Sequence, residues 1–119
     1  MEIKKVIVNG KTYEFVNDSR STRSGFAHDT TLLVDGVQKI SNTCHYLNRT
    51  WECYRYQTVM CGAMSQLKDN RRKYLENKFK EEKGYSRLTD KRRLELEDVF
   101  TADKFLNEYE EVLKNLRNY

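Results

Sequence analysis

Proline is absent from all 119 residues, glycine occurs five times, cysteine three times and tryptophan once. With no proline, the only residue in the second half that interrupts a helical reading before Gly84 is Gly62. The cysteines, Cys44, Cys53 and Cys61, are odd in number and lack the spacing of a disulfide framework. They read as free thiols in a reducing compartment. No apolar run approaches the roughly 20 residues that span a bilayer. The opening Met1-Glu2-Ile3-Lys4-Lys5 has no apolar signal-peptide core, so a cytoplasmic location without a membrane partner is expected. Paired Cys-x-x-Cys and His-x-x-x-His spacings are missing, and neither a metal nor a cofactor is expected. Internal repeats and low-complexity linkers are missing too.

What is present is charge and aromatic character, at 34% and 12% of residues, a globular rather than a disordered composition. The length fits one domain, 1–119. A net charge of +4 is mild and permits an acidic partner. Its distribution is uneven. From Lys68 to Arg93 there are 11 Lys and Arg against 5 Asp and Glu, and from Glu95 to Tyr119 there are 3 against 7. This describes either a helical hairpin whose charges pair across it, or a basic middle and an acidic end open to partners.

Ile3 to Val8 and Lys11 to Val16 alternate as strands do, with Asn9-Gly10 between them. Both residues of that pair tolerate positive φ, which makes a hairpin. Asn17 to Asp29 is small, polar and basic, and reads as a loop. Thr30 to Val34 and Val37 to Leu47 flank a second turn signal, Asp35-Gly36. Four antiparallel strands in sequence order form a meander with one face to bury.

The stretch 48–84 reads as one long helix that covers this face. Asn48 is its expected cap and Gly84 its end. Tyr56, Met60, Ala63, Leu67, Tyr74 and Phe79 fall near one helical face, and Trp51 is expected to be buried against the sheet. Two shorter helices fill 85–119. Thr89 caps the first, with Leu94, Leu96, Val99 and Phe100 apolar. Thr101 reads as the cap of the second, with Asp103 in its first turn. Phe105, Leu106, Tyr109, Val112, Leu113 and Leu116 give the second an amphipathic face. The expected class is therefore α+β: a four-stranded antiparallel meander of two hairpins (1–47) packed on a long helix (48–84), followed by two shorter C-terminal helices (85–119).

Three groups of residues could carry chemistry. In Ser19-Arg20-Ser21-Thr22-Arg23-Ser24-Gly25, guanidiniums, hydroxyls and a glycine suit phosphate binding. The Gly-Lys-Ser/Thr of a P-loop is absent. Ser21 and Thr22 would add hydroxyl donors to Arg20 and Arg23. His28-Asp29 and Cys44-His45 are a weak general-base or zinc pattern, better read as hydrogen-bonded structure, with His28 kept as a candidate binding residue. At the start of the long helix, Arg49, Arg55 and Tyr56 interleave cation and ring, which suits bases and phosphates as well as protein contacts. Glu52 can neutralise one of the two arginines. Arg71, Arg72 and Lys73 are the candidate contacts of the basic middle. No catalytic residue is assigned.

The strings Ser19-Arg-Ser-Thr-Arg-Ser-Gly-Phe-Ala-His-Asp29 and His45-Tyr-Leu-Asn-Arg-Thr-Trp-Glu-Cys-Tyr-Arg-Tyr-Gln-Thr-Val-Met60 resemble a group of small uncharacterised proteins from phages and prophages of Gram-positive bacteria. The resemblance covers roughly the first half of the chain. It implies a phage accessory protein acting in the cytoplasm of the bacterial host. The expected function is non-enzymatic inhibition of a host defence system, anti-CRISPR-like, by binding a defence nuclease or its guide RNA–protein complex. In that reading the acidic end occupies a basic groove. The alternatives are a nucleic-acid-binding accessory protein using Arg20, Arg23 and the basic run, and a sponge that encloses a small signalling nucleotide. A homodimer is compatible with each.

Overall fold

The computed structural model of the chain describes residues 1–46 and 55–117. It contains four strands, β1 (Glu2–Val8), β2 (Lys11–Thr22), β3 (Gly25–Val34) and β4 (Val37–Tyr46), and three helices, α1 (Arg55–Lys83), α2 (Asp90–Ala102) and α3 (Lys104–Arg117). The strands form one antiparallel sheet in the order β1-β2-β3-β4, the meander that the turn signals predict. The two predicted turns take the required backbone: φ is 51° and 79° at Asn9 and Gly10, and 49° and 83° at Asp35 and Gly36. Gly84 ends α1 at φ 70°.

The stretch Asn17 to Asp29 is not a loop. β2 runs on to Thr22, β3 begins at Gly25, and the pairing is continuous from Tyr13↔Val34 to Thr22↔Gly25. The reason lies in the inner face of this extension. It is built from Asn17, Ser19, His28 and Thr30, so the alternation that marks a strand is polar on both sides. Asn17 and Thr30 are fully buried, and the Thr30 hydroxyl donates to the Asn17 side-chain oxygen. The Asn17 amide in turn faces the Met60 sulfur at 3.4 Å. Buried polar groups satisfied in this way do not oppose burial.

α1 lies across the inner face. Tyr56, Met60, Ala63 and Met64 pack with Val6, Val8, Tyr13, Phe15, Leu32 and Ile40, and Tyr109, Val112, Leu113 and Leu116 of α3 close the same core. Gly62 is the point of closest approach. A Cβ there would stand 2.6 Å from Asn42 Nδ2 on β4. That amide donates to the Val59 carbonyl at 3.1 Å, and its oxygen accepts from Gln66 Nε2 at 2.6 Å. Glycine is therefore tolerated inside a helix because it lets helix and strand hydrogen-bond across their seam.

The second half of α1 behaves differently. Leu75 and Phe79 are buried outside the main cluster, as is Leu96 of α2, and the Tyr85 ring packs edge-on to Phe79 at 5.7 Å. Tyr74 is not on the buried face: it is 54% exposed, as Leu94 of α2 is at 71%. The molecule measures 50 × 33 × 22 Å, with a radius of gyration of 17.1 Å. A compact chain of this length would have about 13–14 Å. The sheet, α3 and the first half of α1 thus form a body from which an α1–α2 arm extends.

Thr89 caps α2, its side chain accepting the Arg92 N–H. Thr101 does not cap α3. It lies within α2, where its hydroxyl donates to the Glu97 carbonyl at 2.9 Å. The helix break falls at Asp103, whose own N–H closes on the Phe100 carbonyl at 3.1 Å and whose Oδ2 accepts the Leu106 N–H at 3.1 Å. The Asn48 cap, Trp51, Glu52 and Cys53 lie outside the described residues. Cys44 and Cys61 are free thiols, and burial pushes the Cys61 thiol up.

Gly62→Ala adds helix propensity of about 1 kcal/mol but drives a methyl into the Asn42 amide, whose two hydrogen bonds contribute about 1 kcal/mol each. The single variant is expected to lower the melting temperature. In an Asn42→Ala background the same change should raise it. Thermal melts of the four-member set check this reversal, and additive effects would show that the two residues do not interact.

Candidate nucleic-acid interface

The meander sorts the candidate residues into two ends of the molecule. In up-and-down strands the first and third turns share one end and the second turn takes the other. Arg20, Ser21, Thr22 and Arg23 sit around the second turn, at the end where α1 begins. Arg71, Arg72 and Lys73 sit at least 15 residues further along α1 than Tyr56, about 22 Å away at 1.5 Å per residue. They do not form one site with the hairpin tip.

At the tip, Arg20 faces outward and its Nε donates to Asp29 Oδ2 at 3.1 Å. The Thr43 hydroxyl donates to the other Asp29 oxygen at 2.6 Å. Thr43 first, and then Arg20, holds the Asp29 carboxyl below its usual range despite partial burial. Arg20 is therefore tied into the outer face of the sheet, whereas Ser21 and Arg23 are exposed and Thr22 is half-buried. His28 and Asp29 point to opposite faces. His28 is 4% exposed, its Nδ1 is 3.0 Å from the Ser19 hydroxyl, and that hydroxyl is 3.0 Å from the Tyr56 hydroxyl. The His28 and Tyr56 rings meet edge-on at 5.9 Å. This chain of groups fastens the hairpin tip to the start of α1. Arg49 and the Arg55 side chain, expected to help enclose a nucleotide, lie outside the described residues. Among the described residues no three His, Cys, Asp or Glu side chains gather as a metal site.

The basic middle forms the arm. Cross-pairing between its helices is sparse among the described residues: Arg72 reaches Glu97 of α2 at 3.9 Å, and the only other ion pair within the arm is Lys78–Glu82 on α1 at 4.0 Å. Both pairs are exposed, where such contacts contribute little. Arg92 lies over the Tyr85 ring at 3.9 Å and donates to the Arg87 carbonyl. Lys73, Lys80, Lys83, Arg87, Lys91 and Arg93 make no ion pair among the described residues. A pocket of about 480 Å³ between α1 and α2 is lined by Arg72, Lys73 and Arg93 together with Asp69, Glu76 and Glu97.

At the other end of the sheet, a cleft of about 570 Å³ opens between the two β-turns, α1 and the α2–α3 junction. Lys11, Lys39, Arg71 and Lys104 line it, with Asp35, Asp103, Tyr74 and Phe105. Arg71 grips Asp103 with Nη2 at 2.8 Å and Nε at 3.2 Å from Oδ1. Burial pushes the Asp103 carboxyl up, but the hydrogen bonds from Arg71 and the Leu106 N–H and the Arg71 charge outweigh it, and its pKa falls below the usual value. Lys11 reaches Glu108, which is 3% exposed and is also held by Asn9 Nδ2 at 3.3 Å and the Tyr13 hydroxyl at 3.4 Å. Burial, and then the Glu108 charge, push the Tyr13 hydroxyl far up.

Lys11, Lys39 and Lys104 are cleft residues that the sequence patterns do not single out. The available signal is topological: Lys11 follows the first Asn-Gly and Lys39 lies three residues beyond the Asp-Gly, and a meander brings both to one end. Lys39 is the extra residue of a β-bulge opposite Leu32 and Leu33, a feature that often re-aims a side chain.

The depressed Asp103 carboxyl gives a pH dependence of definite sign. Its contribution is present above the ordinary carboxylate pKa and is lost as pH falls through the lower folded value. Asp103→Asn should melt below the parent at about pH 7, and the gap should close towards about pH 3. Thermal melts across that range check it, and a gap that does not change with pH would show that the charge of Asp103 is not what holds the junction.

Comparison of the chain with protein-family models, with characterised proteins and with solved structures gives no match.

Proposed function

We propose that this chain is a non-enzymatic binding protein of the phage accessory kind, an inhibitor that docks on a host defence nuclease or its guide RNA–protein complex, with the α1–α2 arm as the surface facing RNA. The observation that supports this reading is the arm itself. It is a two-helix projection with 11 cations against 8 acids between Lys68 and Ala102, and most of the cations have no ion-pair partner in the arm among the described residues. A projecting basic surface concentrates phosphates through Coulomb attraction and counterion release. A guide RNA–protein complex presents backbone phosphates beside protein surface. With Arg20 tied to Asp29, the hairpin tip is the weaker contact, and Arg23 is the exposed cation it offers.

Lys73, Lys83 and Arg87 are exposed and make no ion pair among the described residues, so their joint replacement by Ala should keep the fold. The variant is expected to bind a purified guide RNA–nuclease complex more weakly, with a smaller loss on bare single-stranded RNA. The slope of log affinity against log salt should fall by about 0.7 for each phosphate that the variant no longer neutralises. Arg20→Ala with Arg23→Ala should have the smaller effect. Parent-like affinity and slope in the triple variant would refute the arm as the RNA-facing surface. Weakening confined to the complex would favour the inhibitor reading, and equal weakening with bare RNA would favour a general nucleic-acid-binding protein.

A further inference from the structure

We infer that the cleft beside the two β-turns is a nucleoside-phosphate site, with the base stacked on Tyr74 and the phosphates held by Lys39 and Lys104. This goes beyond the arm: the cleft and the α1–α2 pocket share no lining residue.

The chemistry of the walls separates into two parts. Val34, Leu67 and Phe105 form an apolar floor, and Lys11, Lys39, Arg71 and Lys104 supply cations around it. Of the two carboxylates in the lining, Asp103 is paired with a cation and Asp35 is held by a neutral N–H. Asp35 Oδ1 accepts the Thr12 N–H at 2.9 Å, and Asp103 is held by Arg71 and by the Leu106 N–H. Lys11 is spent on Glu108. Lys39 and Lys104 are left without an ion pair among the described residues. Lys39 and Lys104 outnumber the one carboxylate left without a cation, Asp35, and excess positive charge on a concave, partly apolar surface attracts an anion more strongly than on a convex one.

An inorganic anion would satisfy the lysines and leave the rings unused. Tyr74 is 54% exposed although it lines the cleft, and the Arg71 guanidinium sits 5.2 Å from its ring centroid. Arg71 is fixed in turn by its two-point grip on Asp103. One side of the ring is thus backed by a cation, and more than half of Tyr74 is exposed. Aromatic rings next to arginine are the usual platform for a nucleobase. The volume of about 570 Å³ falls in the range of small-ligand sites. A base with a phosphate within reach is the ligand class that uses both the ring and the lysines. It can be a free nucleotide or the terminal nucleotide of a single strand.

Calorimetry at low salt with adenosine diphosphate, inorganic pyrophosphate, adenosine and a 5′-phosphorylated tetranucleotide tests this. Adenosine diphosphate is expected to bind at least about tenfold more tightly than pyrophosphate, the scale of one stacked base. Lys39→Ala with Lys104→Ala should weaken the nucleotide and pyrophosphate alike by about tenfold or more. Tyr74→Ala should bring the nucleotide down to the level of pyrophosphate and leave pyrophosphate unchanged. Circular dichroism confirms that each variant is folded. In the Lys73, Lys83 and Arg87 variant, a tetranucleotide that binds more tightly than the diphosphate identifies a strand end in the cleft, and equal binding identifies a free nucleotide. The Lys73, Lys83 and Arg87 variant should bind adenosine diphosphate as the parent does, so failure of the arm and failure of the cleft are read separately. No binding of either nucleotide probe at millimolar concentration, or binding that neither the lysine nor the tyrosine variant weakens, overturns the proposal.

Discussion

α1 is longer than the face it covers. Its 29 residues extend about 43 Å, and the residues it gives to the main core lie between Tyr56 and Leu67. Among the described residues the remaining turns give nothing to that core. A helix segment with buried Leu75 and Phe79 needs another apolar surface, and α2 supplies it with Leu96 and the neighbouring Tyr85. The chain must then turn back, and α3 returns along α1 to close the core against β1. The arm, the α2–α3 break and the cleft follow from this one mismatch of lengths.

The return uses up acidic side chains. Asp103 serves the break as helix cap and as partner of Arg71, and Glu108 is buried under the first hairpin with Asn9, Lys11 and Tyr13. A buried carboxylate is tolerated only with such partners. Two of the acids that make the end of the chain negative are therefore structural, and a picture of that end as a free acidic surface is incomplete. Among the described residues only Arg72 and Lys78 of the arm's cations form ion pairs within the arm. The imbalance seen along the sequence becomes, in space, a basic projection joined to a body that has neutralised part of its own negative charge.

The turns are the most legible features, because Asn-Gly and Asp-Gly meet a backbone requirement that few other pairs meet. With them come the strand order and the helical cover. The extension of β2 and β3 past Val16 is hidden because its inner face is Asn17, Ser19, His28 and Thr30, whose suitability for burial depends on hydrogen bonds between strands that are apart in sequence. Thr101 misleads for a related reason: Thr and Asp two residues apart are both good caps, and the one at the break, Asp103, is also held by Arg71, some thirty residues earlier in the chain. The cleft is invisible to any local pattern, since its walls come from two turns, the middle of α1 and the start of α3.

Arginine stands out in a sequence because its planar fork suits phosphate. The same property makes it useful inside the fold. Arg20 is held by Asp29, Arg71 by Asp103 and against Tyr74, Arg72 lies 4.8 Å from the Phe100 ring centroid, and Arg92 lies over Tyr85. Each is bound by the geometry that would have recognised a ligand. In the arm and the cleft, the cations without an ion pair among the described residues are mostly lysines, compact and strongly hydrated charges with little directional preference. Charge of that kind brings a polyanion near but does not select one. Selection has to come from groups with shape: the exposed ring of Tyr74, the apolar floor of the cleft, and the walls that fixed arginines hold in place.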